Sequence, residues 1–420
     1  APQSGGGKTT VTLGILRALS RDGIAVRGAK SGPDYIDPRF HEAACGHPCV
    51  NLDAWAMSEE RIRSLAAGPG LLVIEGAMGL FDGAPPDGKG ATADLARILN
   101  LPVVLVIDAA SMAHSVTPLV AGFARHDPAV RVAGLVLNRV GSARHESMLR
   151  KALTPLGLPV LGAVPRDPLL ARPSRHLGLV QADEHADLPA FLDNAGNLVR
   201  RNLDLGALQA VAAPLDAVGP TKARGASGLR IAIARDAAFS FAYPHQLAAW
   251  RDGGAELRFF SPLADEPVPQ ADRVFLPGGY PELHAARLAA AATFRESLRN
   301  ASETTKIYGE CGGYMVLGES LTDAEGTRHR MVGLLPLETS FAKRRLQLGY
   351  RRLTRCAGEA VGHTALAGRF AAHEFHYANT LRAEGPQLWR AEAATSNRLP
   401  DMGLVQGNVC GSFAHIIDAL

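Results

Sequence analysis

The sequence predicts an α/β protein of two three-layer units, each built on a mainly parallel sheet. Three observations carry this. Short apolar runs alternate with helix-length segments through the first half. A stretch rich in Ala, Gly and Pro then interrupts the pattern, and a second strand–helix series follows it. The length of 420 residues suits two domains of ordinary size.

Val11 to Leu19 has helical spacing. Leu71 to Ile74, Val103 to Ile107 and Val132 to Leu137 are short runs rich in Leu and β-branched residues, and read as buried parallel strands. Gly206 to Gly228 has weak periodicity and reads as a linker. The expected divisions are therefore 1–205, 206–228 and 229–420. In the second series Leu229 to Ala234, Glu256 to Phe260, Arg273 to Leu276 and Lys306 to Tyr308 read as strands. His284 to Leu298 reads as one helix.

A formal net charge of +3 is too mild to argue for a nucleic-acid partner. The basic cluster Lys343, Arg344, Arg345, Arg351 and Arg352 reads as a solvated face. No apolar run reaches the ~18 residues of a membrane span, and no signal peptide is visible, so a cytoplasmic protein is expected. Five cysteines in a long chain do not make a disulfide framework. Cys45 and Cys49 lack a second ligand pair at finger spacing, which argues against zinc.

The first chemical signal is Ser4-Gly5-Gly6-Gly7-Lys8-Thr9-Thr10. Glycines let backbone N–H groups close round phosphate oxygens. Lys8 supplies a point charge, Thr9 can ligate Mg²⁺, and the helix that follows aims its positive end at the anion. Pro2 stands where the strict phosphate loop has Gly, so this is a variant loop. Such a loop ordinarily follows a strand, and no strand-length segment precedes it in this sequence. Glu75, after the run Leu71 to Ile74, is placed where a metal-ligating acid would sit. Asp82 lies in the glycine-rich loop that follows, and Asp34 and Asp37 occupy another loop. Asn138, at the end of its strand, could read an adenine edge or simply serve the turn.

The second signal is Gly309-Glu310-Cys311-Gly312-Gly313, between a strand and a helix. This is a nucleophile elbow carrying Cys. The helix start is expected to depress the thiol pKa. Backbone N–H groups of Gly312, and of Gly279 in a second glycine turn, could form an oxyanion hole. His415 and His376 are the candidate imidazoles. Neither has Glu two residues further on, so a dyad or an outside orienter such as Glu374 is expected.

The segments SGGGKTT, SGPDYIDPRFH, NLDAW, IEGAMGLFDG, RDAAFSFAYP, LPGGYPELHA, ECGGYMVLG, LGYR, HEFHY and GSFAHI occur in this order across nearly the whole chain. In them the chain resembles the cobyrinic or hydrogenobyrinic acid a,c-diamide synthases, corrin-amidating ligases of the cobalamin pathway. The resemblance implies a dethiobiotin-synthetase-like P-loop domain and a class I glutamine amidotransferase domain of flavodoxin-like build. It implies Cys311 as nucleophile, with His415 raising its nucleophilicity and His376 as second choice. Gly5, Gly6, Gly7, Lys8, Thr9, Thr10 and Asn138 would bind ATP. Thr9 and Glu75 would hold Mg²⁺. Asp34, Tyr35 and Ile36 would bind a tetrapyrrole polycarboxylate, and Asp82 would belong to the carboxylate-activating site. L-glutamine is the implied nitrogen donor, with ammonia passing to the other domain along a shielded path. A homodimer is the default expectation.

Two alternatives remain open on sequence alone. One is a sister enzyme acting on Ni-sirohydrochlorin, or a cobyric acid synthase, although Glu310-Cys311-Gly312-Gly313-Tyr314-Met315 suits the a,c-diamide synthases better. The other is a P-loop switch fused to an inert amidotransferase-like module, against which the intact elbow argues.

Overall fold

The structure, a computed structural model, describes residues 1–167, 174–175, 178–179, 181–184, 187–216, 227–356 and 368–420. The chain divides into two units, Ala1–Thr221 and Lys222–Leu420.

In the first unit the glycine loop opens helix α1 (Lys8–Arg21). Gly5 and Gly7 hold φ of 76° and 85°, a left-handed backbone that side chains resist. Strands β1 (Val26–Ser31), β2 (Val50–Leu52) and β3 (Leu71–Glu75) make a parallel sheet in the order β2-β1-β3, with α2 (Asp37–Cys45) and α3 (Glu59–Ala66) as crossovers. After α4 (Thr92–Leu99) comes a second parallel sheet of β4 (Val103–Asp108), β5 (Val132–Val140) and β6 (Val160–Pro165), connected by α5 (Val116–Arg125) and α6 (Ala143–Leu153). β3 and β4 both line a cavity of about 610 Å³, and no described strand fills the gap.

A two-residue ladder of β7 (Ser174–Arg175) and β8 (Gly178–Leu179) precedes α7 (Leu188–Asn202) and α8 (Leu205–Ala210). α7 packs on α1, and a Cβ on Gly14 would lie 2.3 Å from Val199 Cγ2, so this glycine permits the close approach. The expected linker thus begins as a helix, because Asp204 Oδ1 accepts from Ala207 N at 2.8 Å and caps it. Residues 217–226 of that stretch lie outside the described residues.

The second unit starts with β9 (Arg230–Ala234), α9 (Pro244–Asp252), β10 (Glu256–Phe260), β11 (Arg273–Leu276), α10 (Ala285–Ala290), α11 (Ala292–Ser302), β12 (Lys306–Glu310) and α12 (Gly312–Leu317). The single helix expected over 284–298 is two helices. Asp265, brought in from another loop, accepts from Phe294 N at 2.8 Å in the first turn of α11 and gives that helix its own start.

Among the described residues ten further strands follow: β13 (Ser320–Thr322), β14 (Arg328–Arg330), β15 (Leu337–Ser340), β16 (Gln347–Arg355), β17 (Arg369–His376), β18 (Asn379–Ala383), β19 (Trp389–Ala393), β20 (Leu404–Gln406), β21 (Val409–Ser412) and β22 (His415–Ala419). The central sheet runs β10-β9-β11-β12-β21-β20, parallel except at β20. An antiparallel sheet runs β19-β16-β17-β22, and a smaller mixed one runs β14-β13-β15-β18.

Strand alternation sorts the core of this unit. Val274, Leu276 and Ile307 point into a cluster with Leu288, Phe294 and Met315 from the helices. Phe275 and Tyr308 point the other way, against Leu353, Phe370 and Trp389 of the antiparallel sheet. The central sheet is therefore covered on both faces, as a parallel sheet must be.

Gly313 is where α12 closes on β11, since a Cβ there would lie 2.0 Å from Leu276 O. Gly313→Ala is expected to destabilise the second unit by about 1–3 kcal/mol, read as a lower urea midpoint with an unchanged slope.

Candidate active site

In the first unit the charged groups gather at the carboxyl ends of β1 and β3. Lys30 is 4% exposed. Its Nζ lies 2.6 Å from Asp37 Oδ2, 2.9 Å from Glu75 Oε1 and 4.0 Å from Asp34 Oδ2. Burial alone would lower the ammonium pKa, but Glu75, Asp37 and Asp34 outweigh it and hold it above its ordinary value. Burial would likewise raise Glu75, but Lys30 and His41 hold it well below the usual carboxylate range. Thr9 Oγ1 donates to Glu75 Oε1 at 2.5 Å and lies 3.4 Å from Asp37 Oδ2. His41 Nε2 lies 2.6 Å from Glu75 Oε2, and His41 Nδ1 is 3.4 Å from Cys49 Sγ.

Thr9, Asp37 and Glu75 thus bring three hard oxygen donors together, and one ammonium in contact does not neutralise two carboxylates. That donor set fits Mg²⁺. Asp37 joins Thr9 and Glu75, the two candidate ligands that the sequence had singled out. Lys30 and His41 escaped the sequence reading. The signal for His41 was its spacing, since Asp37 and His41 stand one turn apart and share a face of α2.

The remaining residues of this end are placed as follows. Lys8 Nζ donates to Met78 O at 2.6 Å, and burial followed by the charge of Lys30 lowers its pKa. Asn138 lies within β5 rather than at its end. Its Nδ2 donates to Gly6 O at 3.0 Å, and a Cβ on Gly7 would lie 2.0 Å from it. This carboxamide supports the phosphate loop, and the adenine-edge role is not what its contacts give. Thr10 lies in the first turn of α1.

Asp34 Oδ1 accepts from Ile36 N at 2.8 Å and Asp37 N at 3.0 Å, which shapes the entry to α2. Asn51 Nδ2 holds that loop through Gly32 O at 2.9 Å and Asp34 O at 2.7 Å. Tyr35 is half-buried and Ile36 buried. Asp82 Oδ2 accepts from Gly79 N at 2.8 Å, so this exposed acid closes its own loop.

In the second unit Cys311 sits between β12 and α12 with φ of 45° and ψ of −102°. That is a strained backbone for a residue with a side chain, as an elbow requires. Cys311 N donates to Ser412 O at 2.8 Å, which ties the elbow to β21. A Cβ on Gly278 would lie 2.9 Å from His415 Nε2 and 3.3 Å from Cys311 Cβ, so the imidazole and the Cys311 side chain border one point. A Cβ on Gly312 would lie 3.0 Å from Gly279 N, which brings the two candidate oxyanion amides to one side.

The thiol pKa is not depressed. Burial, then Glu282, pushes it well above the ordinary value, and the Gly312 N–H only moderates this. A six-residue helix start does not outweigh complete desolvation. His415 is 1% exposed, and burial pushes its pKa down to about 3. The resting pair is therefore neutral thiol and neutral imidazole.

Glu374 does not orient His415. Its Oε2 takes Arg351 Nε at 2.8 Å and Nη2 at 2.7 Å, and its Oε1 lies 2.9 Å from His376 Nε2. His376 stacks on Phe413 with ring centroids 4.0 Å apart. Arg351 is accordingly drawn inward, whereas Lys343, Arg344 and Arg345 are exposed. His373, which the sequence reading did not single out, stands opposite His415 in the register of β17 and β22.

The two halves match two family models. Residues 1–180 match the CobQ/CobB/MinD/ParA nucleotide binding domain, and residues 230–419 match the CobB/CobQ-like glutamine amidotransferase domain. A nucleotide site and a glutamine-hydrolysing site on one chain define a glutamine-dependent amidoligase, with ATP and glutamine as substrates. Whole-length relatives narrow the class. The chain is 54% identical to a hydrogenobyrinate a,c-diamide synthase of Brucella abortus, over 100% of this chain and 97% of that one. It is 52% identical to that of Rhizobium meliloti, over 100% and 98%. It is 51% identical to that of Rhodobacter capsulatus, over 99% and 97%. The chain belongs to the hydrogenobyrinate a,c-diamide synthase family. No helix among the described residues is long and apolar enough to cross a membrane.

The raised thiol pKa has a measurable sign. Below its pKa, the thiolate fraction rises tenfold per pH unit. Iodoacetamide alkylation of Cys311 in the absence of glutamine should be slow at pH 7 and climb steadily to pH 9. A plateau below pH 8 would show a depressed thiol instead.

Proposed function

We propose that the chain converts hydrogenobyrinate to its a,c-diamide, amidating two acetate side chains in turn with ammonia drawn from glutamine. The pairing of the strained Cys311 with His415 carries the chemistry. The whole-length likeness to the named relatives supports the substrate. A cytoplasmic site of action suits such a reaction.

At the thiol, His415 takes the Cys311 proton as sulfur attacks the glutamine carboxamide carbon. The oxyanion forms against the Gly279 and Gly312 N–H groups. Collapse to a thioester expels ammonia, and water then releases glutamate. At the nucleotide end, the Gly5–Gly7 loop and Lys8 hold the ATP phosphates. Thr9, Asp37 and Glu75 would hold Mg²⁺, which supplies charge neutralisation on the phosphate oxygens when bound. Lys30 faces the same spot and stabilises charge on the transferring phosphoryl group. The substrate carboxylate becomes an acyl phosphate, because a free carboxylate is too poor an electrophile for ammonia. The loop bearing Asp34, Tyr35 and Ile36 borders the corrin-carboxylate position. Asp82 acts on it indirectly, by closing the loop of residues 76–83.

The division of labour gives two expected outcomes. Cys311→Ala should lose glutamine-dependent amidation by about 10³-fold or more, while amidation driven by ammonium chloride persists. Mass spectrometry of the corrin product reads both. Lys8→Ala should keep glutaminase activity yet lose amidation from either nitrogen source. Amidation of hydrogenobyrinate but not of its cobalt-bearing counterpart would establish the metal-free ring as substrate, and the reverse result would replace it.

A further inference from the structure

The glutaminase half needs a group that fixes the His415 tautomer, and the position two residues beyond His415 holds Ile417. Glu374 is committed to Arg351 and His376. The second unit nevertheless brings another carboxyl to the imidazole. Glu310 is the last residue of β12, immediately before the nucleophile, and is 3% exposed. The parallel register of β12 on β21 pairs Glu310 with Ser412, three residues before His415. Glu310 Oε1 accepts from Ile416 N at 3.0 Å, the backbone amide next to His415. Its Oε2 lies 3.7 Å from His415 Nδ1. One oxygen is thus tied to the strand that carries the imidazole, and the other is turned to the ring nitrogen away from the thiol.

We propose that Glu310 is the positioning carboxyl of this glutaminase, the third member of a Cys311–His415–Glu310 triad. It is supplied from the residue before the nucleophile rather than from beyond the histidine. This rests on the reading of Cys311 and His415 given above.

In the proposed step His415 carries its proton on Nδ1, the nitrogen 3.7 Å from Glu310 Oε2, which leaves Nε2 as the acceptor. The Sγ–H bond of Cys311 breaks, an Nε2–H bond forms, and sulfur bonds to the glutamine carboxamide carbon. Glu310 faces the positive charge that then spreads over the imidazole. When the C–N bond breaks, the Nε2 proton leaves with ammonia, and His415 returns to its starting tautomer. Glu310 exchanges no proton with the substrate. It acts through His415 alone.

Glu310→Gln tests the assignment. Its amide oxygen can still accept from Ile416 N, but its NH₂ would face Nδ1 and favour the tautomer protonated at Nε2. The expected result is a glutaminase kcat lower by about 10²- to 10⁴-fold, with KM for glutamine within about threefold of wild type. Glu310→Asp withdraws the carboxylate by one methylene and should lose kcat with KM retained. In a His415→Ala background, Glu310→Gln should cost almost nothing further, because the partner through which it acts is gone.

A Gln variant with kcat near wild type overturns the proposal. So does a full additional loss in the His415→Ala background, which would mark a structural role. If the Gln variant does not fold, as judged by its thermal transition, the Asp variant decides, and an unchanged kcat there overturns the proposal. Failure of the underlying reading looks different: Cys311→Ala would keep its glutaminase activity.

Discussion

The parallel pairing of β12 with β21 is the constraint on which the thiol site depends. Cys311 N reaches Ser412 O in that ladder, and Glu310 is in register with Ser412. The chain then needs only Phe413 and Ala414 to turn into β22, where His415 begins an antiparallel strand. A thiol and an imidazole about a hundred residues apart in sequence are thereby set by backbone hydrogen bonds rather than by flexible side chains. The Cys311 backbone is strained, and strain of this kind costs of order 1–3 kcal/mol. It persists because Gly309, Gly313 and Gly411 let neighbouring backbones close around it. A Cβ on any of the three would lie within 2.8 Å of other atoms.

At the nucleotide end a different constraint operates. Lys30, Asp37 and Glu75 are all buried, and charge at such a place is tolerated only when paired. The pairing is collective. Lys30 bridges two carboxylates, Thr9 donates to one of them, and His41 occupies the remaining oxygen of Glu75. A single broken partner would leave an uncompensated buried charge, so each member of the network constrains the others. Such preorganisation is what phosphoryl transfer demands of a protein.

Local signals were legible in the sequence, and non-local ones were not. The glycine loop, the elbow and the buried strands each announce themselves within a few residues. Glycine at φ > 0 and runs of β-branched residues have purely local causes. The two-helix break at Ala291 left no mark, because its cause is Asp265 from another loop. The strands after α12 were missed because sequences such as Gln347–Arg355 carry no strong apolar run: Leu353 is its one buried residue, Leu348 is exposed and Arg351 turns inward to Glu374. Lys30 reads as an ordinary strand residue until Asp37 and Glu75 are folded around it. The NLDAW segment is largely scaffold: Asn51 holds the Asp34 loop, and Asp53 Oδ1 accepts from Trp55 N and Ala56 N at 3.0 Å each.

The neutral resting state of the thiol pair follows from the same burial that shapes the site. Moving a proton from Cys311 to His415 creates two charges in a place that stabilises neither, as the raised thiol and the lowered imidazole pKa both say. An isolated ion pair there is unfavourable. The transfer becomes favourable only when it is joined to C–S bond formation, because the developing negative charge then moves from sulfur to an oxygen facing backbone N–H groups. On the mechanism proposed for Cys311 and His415, burial ties proton transfer to the presence of glutamine. A thiolate poised in advance would be open to oxidation and alkylation between turnovers. The second half of that argument concerns the positive charge. His373 and His376 add to the low pKa of His415 rather than relieving it. Burial likewise pushes the Glu310 carboxyl up to about 8. A carboxyl so reluctant to ionise alone is stabilised in its charged form by a positive imidazolium beside it.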